Sequence, residues 1–382
     1  MTTASAVRWM PRRVGFWPAL VSVLLLLFAA VTVLRFSRGL GAVTNLSDQF
    51  PWGLWIGFDV LCGVGLAAGA FTLTAIVHVF NLRHFEPIVR PTVLTGFLGY
   101  LLVIAGLLFD LGQPWRIWHA LVFWNPNSVM FEVAWCVMLY TTLLAIEFSP
   151  VVFERLRLER PRRILRFVST PLVIGGVILS TLHQSSLGSL YLIVPSKLHP
   201  LWYTPLLPYL FLISAVGAGI GMVILESYLS KRAFRRHLEM DLLEPLARGM
   251  VVALGVYGLL RVIIIVRSGA VAMLLHPGYE AWMFLLEMGV GVVLPVSLLL
   301  VDRVRRNPTG LVVSAVFAVL GFVMNRLNVS VTGMEGAAGV QYVPSWMELT
   351  VSLGLVALGF TLFAFAVRYL PVFPAPVRKR AS

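Results

Sequence analysis

The chain has 382 residues, of which 59% are hydrophobic and 12% are charged, and its net charge is +13. A soluble globular protein carries about twice that charged fraction, so the composition excludes this class. It indicates an integral membrane protein instead. An excess of Lys and Arg is then explained by membrane topology and by anionic lipid, so no nucleic acid partner is predicted.

Ten segments have about 20 apolar residues, the length that crosses roughly 30 Å of hydrocarbon, and are predicted to span the membrane. In chain order they cover residues 15–34, 54–80, 93–112, 128–148, 166–186, 204–229, 247–267, 281–300, 309–327 and 346–369. The first is expected to be a retained anchor rather than a cleaved signal peptide, because its apolar stretch is too long and no clear cleavage site follows. The sequence therefore predicts an all-α integral membrane protein of about ten spans, with residues 1–382 as a single polytopic domain.

Positive charges predict the orientation of these spans, because Lys and Arg are retained on the cytoplasmic side of a membrane. When the N-terminus is placed inside, all but seven of the 30 Lys and Arg residues lie in cytoplasmic segments. The seven on the outer side are Arg35, Arg38, Arg116, Lys197, Arg261, Arg267 and Arg326. Both termini are therefore predicted to be cytoplasmic.

The connections between spans are under about 20 residues, which is too short for a soluble domain with its own core. Residues 328–345 are Gly-rich and polar, and they predict an outer loop rather than a helix.

Two short similarities, between "GVGLAAGAFTL" and "AVGAGIGMVIL" and between spans four and eight, indicate a parallel repeat. It would consist of two four-helix bundles, residues 54–186 and 204–327, with residues 15–34 and 346–369 as additional helices.

Ionisable residues inside the spans are candidates for function, because each costs several kcal/mol in hydrocarbon. Most of them fall in the predicted outer third, namely Asp59, Asp110, Glu132, His183, Arg261, Glu287, Arg326 and Glu348. Glu147 and Glu226 fall in the inner third, and His78 lies near the inner end of span two. A lined pocket at the outer face explains this layer, but so do ion pairs between helices, such as Arg261 with Glu287.

A quinone headgroup would suit such a pocket, since it needs hydrogen-bond donors, apolar walls and acids that exchange protons. The stretch "HQSSLGSL" at the end of span five supplies donors, and the acids Asp59 and Glu132 can exchange protons. Tryptophans near the outer interface supply walls, although such residues also form ordinary interfacial belts. The predicted pocket residues are His183, Gln184, Ser185, Asp110, Arg261, Glu287, Glu348 and Trp55.

Four long motifs resemble the NrfD/polysulfide-reductase family of quinone-interacting membrane subunits, and most closely the membrane (cytochrome b-type) subunit of periplasmic nickel-iron hydrogenases. They are "FPWGLWIGFDVLCGVGLAAG" (50–69), "NPNSVMFEVAWCVMLYTTLLAIEFSP" (125–150), "TLHQSSLGSL" with "KLHPLWYTPLLP" (181–208), and "YVPSWMELTVSLG" (342–354). The resemblance implies quinone or proton roles for Asp59, Glu132, His183 and Glu226. It implies no role for Arg116, because "LGQPWR" after Asp110 departs from the family's spacing.

The same resemblance implies a subunit without haem or iron-sulfur clusters, located in the bacterial inner membrane. Menaquinone or ubiquinone would bind near the periplasmic face, and electrons would pass through an iron-sulfur (ferredoxin-like) subunit that joins it to the large and small hydrogenase subunits. Protons would come from outside or, by a route that begins at Glu147 and Glu226, from the cytoplasm. Tyr140 and Tyr100 are possible intermediates on that inner route.

Four other functions stay open. The resemblance also fits a subunit of another respiratory complex, such as a polysulfide or nitrite system. A haem b cytochrome needs two axial histidines at one depth, but His78 and His183 are predicted at opposite ends. A proton-coupled transporter would place essential acids near the midplane, where few are predicted. A purely structural anchor would tolerate neutralisation of Glu132 and His183. Cys62 and Cys136 lie in separate apolar segments, so no metal or iron-sulfur ligand set is predicted.

Overall fold

A computed structural model of the protein describes residues 15–234, 238–276 and 278–373, and within these ranges every regular element is helical. Nine helices of this part are long and apolar enough to cross a membrane, and a bent pair, Glu159–Leu165 with Ser169–Leu190, makes ten when it is counted as one span. This confirms an all-α integral membrane protein of about ten spans. The basic residues at 8–13 and 378–380, which contribute to the predicted orientation, lie outside the described residues.

The long helices follow one another in alternating directions. They are α1 (Phe16–Arg38), α2 (Trp55–His78), α3 (Arg83–Asp110), α4 (Val129–Leu156), α5 (Ser169–Leu190), α6 (Leu207–Phe234), α7 (Met240–Ser268), α8 (Tyr279–Leu300), α9 (Pro308–Ala338) and α10 (Trp346–Tyr369). Short helices in the connections include His119–Val122 and Glu159–Phe167. We call the end at which α1 ends and α2 begins the outer end, after the predicted orientation, and the opposite end the inner end.

The prediction that residues 328–345 form a loop is wrong for residues 328–338, because α9 continues to Ala338. Asn328 donates a hydrogen bond to the Glu287 carboxylate at 2.9 Å, and Thr332 donates to the Asn328 side chain at 3.1 Å. Gly333 packs against the Trp202 ring, where a Cβ atom would lie only 3.2 Å from it. The polar residues of this segment are therefore buried against neighbours rather than solvated.

Three of the spans contain π-helical segments, whose turns are wider than those of an α-helix. The π-helical segments are Trp55–Cys62 and Ala75–Val79 in α2, Gly289–Val293 in α8 and Asn328–Thr332 in α9. A π-helical turn adds a residue to the helix and is frequent at functional sites. Here such a turn carries Asp59, and two others flank or bind Glu287.

Some helices pack against a neighbour in the chain, as α4 does on α5 and α6 on α7, whereas others pack on distant helices, as α6 does on α9 and α1 on α10. Glycines allow the closest approaches, such as Gly69 of α2 beside Gly219 of α6, where a Cβ would lie 2.7 Å from a backbone oxygen. α10 also packs on α3. The division into two four-helix bundles stays a prediction.

Candidate functional site

The "HQSSLGSL" segment forms the outer end of α5, and its first two side chains are fully buried. The hydroxyl of Tyr100 on α3 lies 2.9 Å from His183 Nδ1. Gln184 Nε2 donates to the Val64 carbonyl of α2 at 3.2 Å. His183 Nε2 and Gln184 Oε1 have no hydrogen-bond partner. A buried polar atom without a partner is rare and requires an explanation.

Ser186 lies one turn further along α5 and connects this buried pair to the surface. Its hydroxyl lies 2.6 Å from Glu132 Oε1 of α4 and 2.7 Å from the Leu182 carbonyl of its own helix, so its proton can be donated to either acceptor. Ser186 is buried, whereas Glu132 is exposed on the side of the bundle. On the interior side, the Tyr100 ring packs against Tyr140 with centroids 4.7 Å apart. We call His183, Gln184, Ser186, Glu132 and Tyr100 the His183 group.

A second buried group is centred on Glu287 of α8, which is 2% exposed. Its Oε2 accepts hydrogen bonds from Trp202 Nε1 at 2.8 Å and Asn328 Nδ2 at 2.9 Å. Its Oε1 accepts from Asn325 Nδ2 at 2.7 Å and from the Tyr257 hydroxyl at 3.4 Å. We call these five residues the Glu287 group. Both carboxylate oxygens are fully engaged by the protein itself.

Two buried arginines lie beside the Glu287 group. Arg326 donates to Asn325 Oδ1 at 2.6 Å and to the Phe211 carbonyl at 3.0 Å. Arg261 donates to the Leu201 carbonyl at 3.1 Å, and its guanidinium lies over the Phe284 ring. The direct bonds of Arg261 therefore go to a connection and a ring rather than to Glu287, its expected ion-pair partner.

A third group lies between α1, α2, α3 and α10. Asp59, in the first wide turn of α2, accepts a hydrogen bond from Ser352 of α10 at 2.7 Å. Gly106 of α3 packs directly on Asp59, since a Cβ at 106 would lie 2.8 Å from the Asp59 Cβ. Asp110 ends α3, and its Oδ1 is buried without a partner.

Glu348 belongs to this third region, where it caps the start of α10. Its carboxylate accepts the backbone N–H groups of Ser345 at 2.8 Å and Asn45 at 3.0 Å, and the Tyr342 hydroxyl donates to it as well. Burial raises the pKa of the Tyr342 phenol above its ordinary value, so this donor stays protonated. Trp55 donates to the Glu348 carbonyl at 3.2 Å. We call Asp59, Asp110, Ser352, Glu348 and Trp55 the Asp59 group.

The two predicted inner acids lie at the opposite end. Glu226 of α6 accepts a hydrogen bond from Thr95 of α3 at 2.9 Å. It lines a small cavity of about 40 Å³, together with Pro91, Ser230 and Lys231. Glu147 is two turns from Tyr140 on α4, and the two side chains interact electrostatically.

The structure thus separates the predicted pocket residues. It places Glu132 against Ser186, one turn along α5 from His183. It places Asp59 near Asp110, and Asp110 near Glu348, whose carbonyl accepts from Trp55. Glu287 and Arg261 lie among α6–α9. Ser185, also a predicted pocket residue, donates to carbonyls of its own helix. Sequence reasoning gave no role to Asn325, Asn328 or Ser352, because uncharged polar residues in a span carry no signal in hydropathy. It gave none to Trp202 or Tyr342 either, since both lie in connections between spans. Among the described residues, no three His, Cys, Asp or Glu side chains are grouped to hold a metal ion.

Comparison with known proteins agrees with the resemblance noted above. The chain is 40% identical to a protein of Nitratidesulfovibrio vulgaris over 92% of its length and 93% of that protein's. It is 33% identical to the probable Ni/Fe-hydrogenase 2 b-type cytochrome subunit of Escherichia coli, over 94% of this chain and 91% of the relative. It is 29% identical to the menaquinone reductase integral membrane subunit of N. vulgaris, over 91% and 88%. Residues 42–335, from before α2 nearly to the end of α9, match the family described as polysulphide reductase, NrfD, and the chain belongs to that family.

Proposed function

We propose that this chain is the quinone-reacting membrane subunit of a respiratory oxidoreductase. Its relatives include a menaquinone reductase subunit and a hydrogenase cytochrome subunit, each matched over about nine-tenths of this chain. In this role the protein binds quinone at its outer end and passes two electrons between the quinone and a partner enzyme. Two protons accompany those electrons, so the site has to supply and remove protons as well.

The His183 group carries this proposal. His183 Nε2 and Gln184 Oε1 are buried and unpaired, although their other polar atoms are bonded within the protein. A quinone carbonyl can accept a hydrogen bond from an imidazole N–H, and a quinol hydroxyl can donate to an amide oxygen. The headgroup reaches them from lipid, between α4 and α5, where the exposed Glu132 joins Ser186.

Glu132 and Asp59 are the proposed proton-transfer groups at the outer end. Glu132 lies on the surface, where a carboxyl in an apolar span is costly unless a ligand or a partner covers it. On the inner side, the cavity at Glu226 offers an opening to the cytoplasm, and Glu147, Tyr140 and Tyr100 follow one another toward His183. We propose this as the route of proton uptake.

The proposed partner is a periplasmic nickel-iron hydrogenase, whose large and small subunits connect to this chain through an iron-sulfur subunit. The name of the E. coli relative and the excess of positive charge on the predicted inner side support this assignment. The protein would then lie in the bacterial inner membrane with the partner over the outer connections.

Haem b is a poor fit to the described residues, although the E. coli relative is named as a cytochrome. Two axial histidines are needed for a typical haem b, and among these residues His183 is the buried one. We therefore propose that electrons come directly from clusters of the partner. A dithionite-reduced minus oxidised visible spectrum of the purified complex should lack haem bands, and a haem band at one equivalent per chain would overturn this point.

The test is hydrogen-dependent reduction of a menaquinone analogue by the complex purified from native membranes in mild detergent. His183→Ala and Glu132→Gln should lower quinone turnover about tenfold or more while the complex stays assembled. His183→Ala removes the proposed contact with the headgroup, and Glu132→Gln removes a carboxylate, to which a hydrogen bond contributes about 1.5–3 kcal/mol. The controls are His84→Ala and Asp48→Asn, which change exposed residues of the same types. Wild-type turnover in both test variants would overturn the proposed site, and purification without any redox partner would overturn the proposed role.

A further inference from the structure

Helix α1 has an unusual buried residue. Of its 23 residues only Val31 and Arg35 are buried, and Arg35 is 2% exposed. Burial of an arginine near the end of a membrane span is costly unless its donors are satisfied. A helix that served only as an anchor would not need this residue in its contact face.

The Arg35 guanidinium binds the outer end of α3 on both sides of Asp110. Its Nε donates to the Phe109 carbonyl at 2.7 Å, and its Nη2 donates to the Leu111 carbonyl at 2.6 Å. These carbonyls are among the last of α3, where the helix dipole also favours a cation. Asp110, between them, interacts electrostatically with Arg35 and keeps its buried Oδ1 unpaired.

The other charged and titratable groups that face Asp110 come from three more segments. They are Asp59 of α2, Glu348 of α10 and Tyr342 of the connection before α10. Three carboxyl groups therefore share this region with one guanidinium. Arg35 offsets the repulsion between the carboxyl groups and fixes the backbone that carries Asp110.

We propose that Arg35 is a positioning residue for Asp110 in the quinone reaction, so that α1 forms part of the site. This inference rests on the proposed function. Arg35 and Ser352 both lie outside residues 42–335, the part that matches the family. Helices α1 and α10 would thus complete a site whose acids Asp59 and Asp110 come from the matched part.

The test compares Arg35→Gln and Arg35→Lys with Arg38→Gln, which removes an exposed arginine one turn along the same helix. Arg35→Gln should move the pH profile of quinone turnover to higher pH by about one unit, because loss of a nearby cation favours the protonated carboxyl. Arg35→Lys keeps the charge and should keep the wild-type profile, but its turnover should fall about fivefold because a lysine does not span both carbonyls. Arg38→Gln should match the wild type in both respects.

Two further measurements separate this inference from its alternatives. In an Asp110→Asn background, Arg35→Gln should no longer move the pH profile; an unchanged shift there, or no shift in the single variant, would overturn the proposal. If Arg35→Gln does not assemble, the Arg35→Lys variant is the deciding one. If Arg35→Lys has the turnover and the KM for quinone of the wild type, Arg35 does not position Asp110 through the two carbonyls. The pH dependence of the infrared band of the protonated Asp110 carboxyl is recorded without quinone, and the band is identified by its loss in Asp110→Asn. Comparing this pH dependence between the wild type and Arg35→Gln tests the effect of Arg35 on Asp110 even if the wild type proves to have no quinone turnover.

Discussion

The His183 group and the Glu287 group both lie at the outer end and are centred on buried residues, but they differ in which polar atoms they leave unpaired. In the Glu287 group, four side-chain donors surround one carboxylate and engage both of its oxygens. In the His183 group, a histidine ring and an amide each keep one buried atom without a partner. The Glu287 carboxylate has no oxygen left for a ligand, although Nε of the neighbouring Arg261 and Arg326 has no partner, whereas the His183 group has both an unpaired donor or acceptor nitrogen and an unpaired amide oxygen.

This difference shows that a buried ionisable residue is not by itself a sign of chemistry. A carboxylate that accepts four hydrogen bonds and lies near two guanidinium groups holds helices together, because losing any partner leaves charge uncompensated. A histidine bonded on one side only is held in orientation and remains available on the other. We therefore expect substitutions in the Glu287 group to affect stability and substitutions in the His183 group to affect turnover.

The largest effect is expected for Glu287→Ala. This change removes the acceptor for four donors and leaves the neighbouring Arg326 and Arg261 without a compensating carboxylate, which should cost about 3–5 kcal/mol. Thermal unfolding in detergent, together with the yield of monodisperse protein, measures the loss. Glu280→Ala, at the start of the same helix, is the control. A stable Glu287→Ala protein without quinone turnover would instead place Glu287 in the quinone pocket.

A glycine pair tests how tightly the helices around Glu287 are packed. A Cβ at Gly321 of α9 would lie 1.8 Å from the Gly291 Cα of α8. Gly321→Ala should therefore force the two helices apart and cost about 1–3 kcal/mol. Gly175→Ala on α5, about two turns before His183, is the matched change, and its added Cβ meets Leu143 at an ordinary 3.6 Å. Equal unfolding temperatures for the two variants would contradict the difference in packing.

Tyr100→Phe should have a smaller effect on stability and a clear one on turnover. The variant loses the hydroxyl that pairs with His183 Nδ1, and one neutral hydrogen bond contributes about 1 kcal/mol. Quinone turnover should fall about tenfold, because the histidine ring is no longer fixed in tautomer and orientation. Tyr209→Phe, at an exposed tyrosine of α6, serves as the control. Unchanged turnover would mean that the Tyr100 contact does not support the site.

Most of the fold was predictable from the sequence, because hydropathy alone locates spans of the length that a bilayer requires. Helix ends were harder to place. α3 begins at Arg83 rather than at residue 93, since Pro87 is tolerated in a first turn. α9 extends to Ala338 because Asn328 and Thr332 are buried by contacts with Glu287 and with each other, which no local pattern shows.

The sequence predicted how deep each candidate residue lies along its span, but not which candidate residues lie together. Position along a span gives the depth of Glu132 and Glu287, but it does not say which neighbours each helix face meets. The sequence therefore predicted one pocket where the structure has three groups. Ser352 and Asn325 gave no signal because hydroxyl and amide groups are tolerated in spans far more readily than charges. Arg35 was predicted only to be one of seven basic residues on the outer side, because nothing in the sequence of α1 predicts its contact with α3.

The adjacent serines of α5 give the most sensitive comparison within one group. The Ser186 hydroxyl has two acceptors within reach, Glu132 Oε1 at 2.6 Å and the Leu182 carbonyl at 2.7 Å, whereas the acceptors of Ser185 are the Thr181 and Leu182 carbonyls of its own helix. Ser186→Ala should lower quinone turnover about five- to tenfold, the equivalent of one hydrogen bond to a carboxylate, while Ser185→Ala should change it less than about twofold. Both changes remove the same hydroxyl from the same helix, so any general effect on α5 cancels. If Ser185→Ala proved the more damaging variant, the headgroup would approach from the side of Ser185, and the contact between Glu132 and Ser186 would be structural.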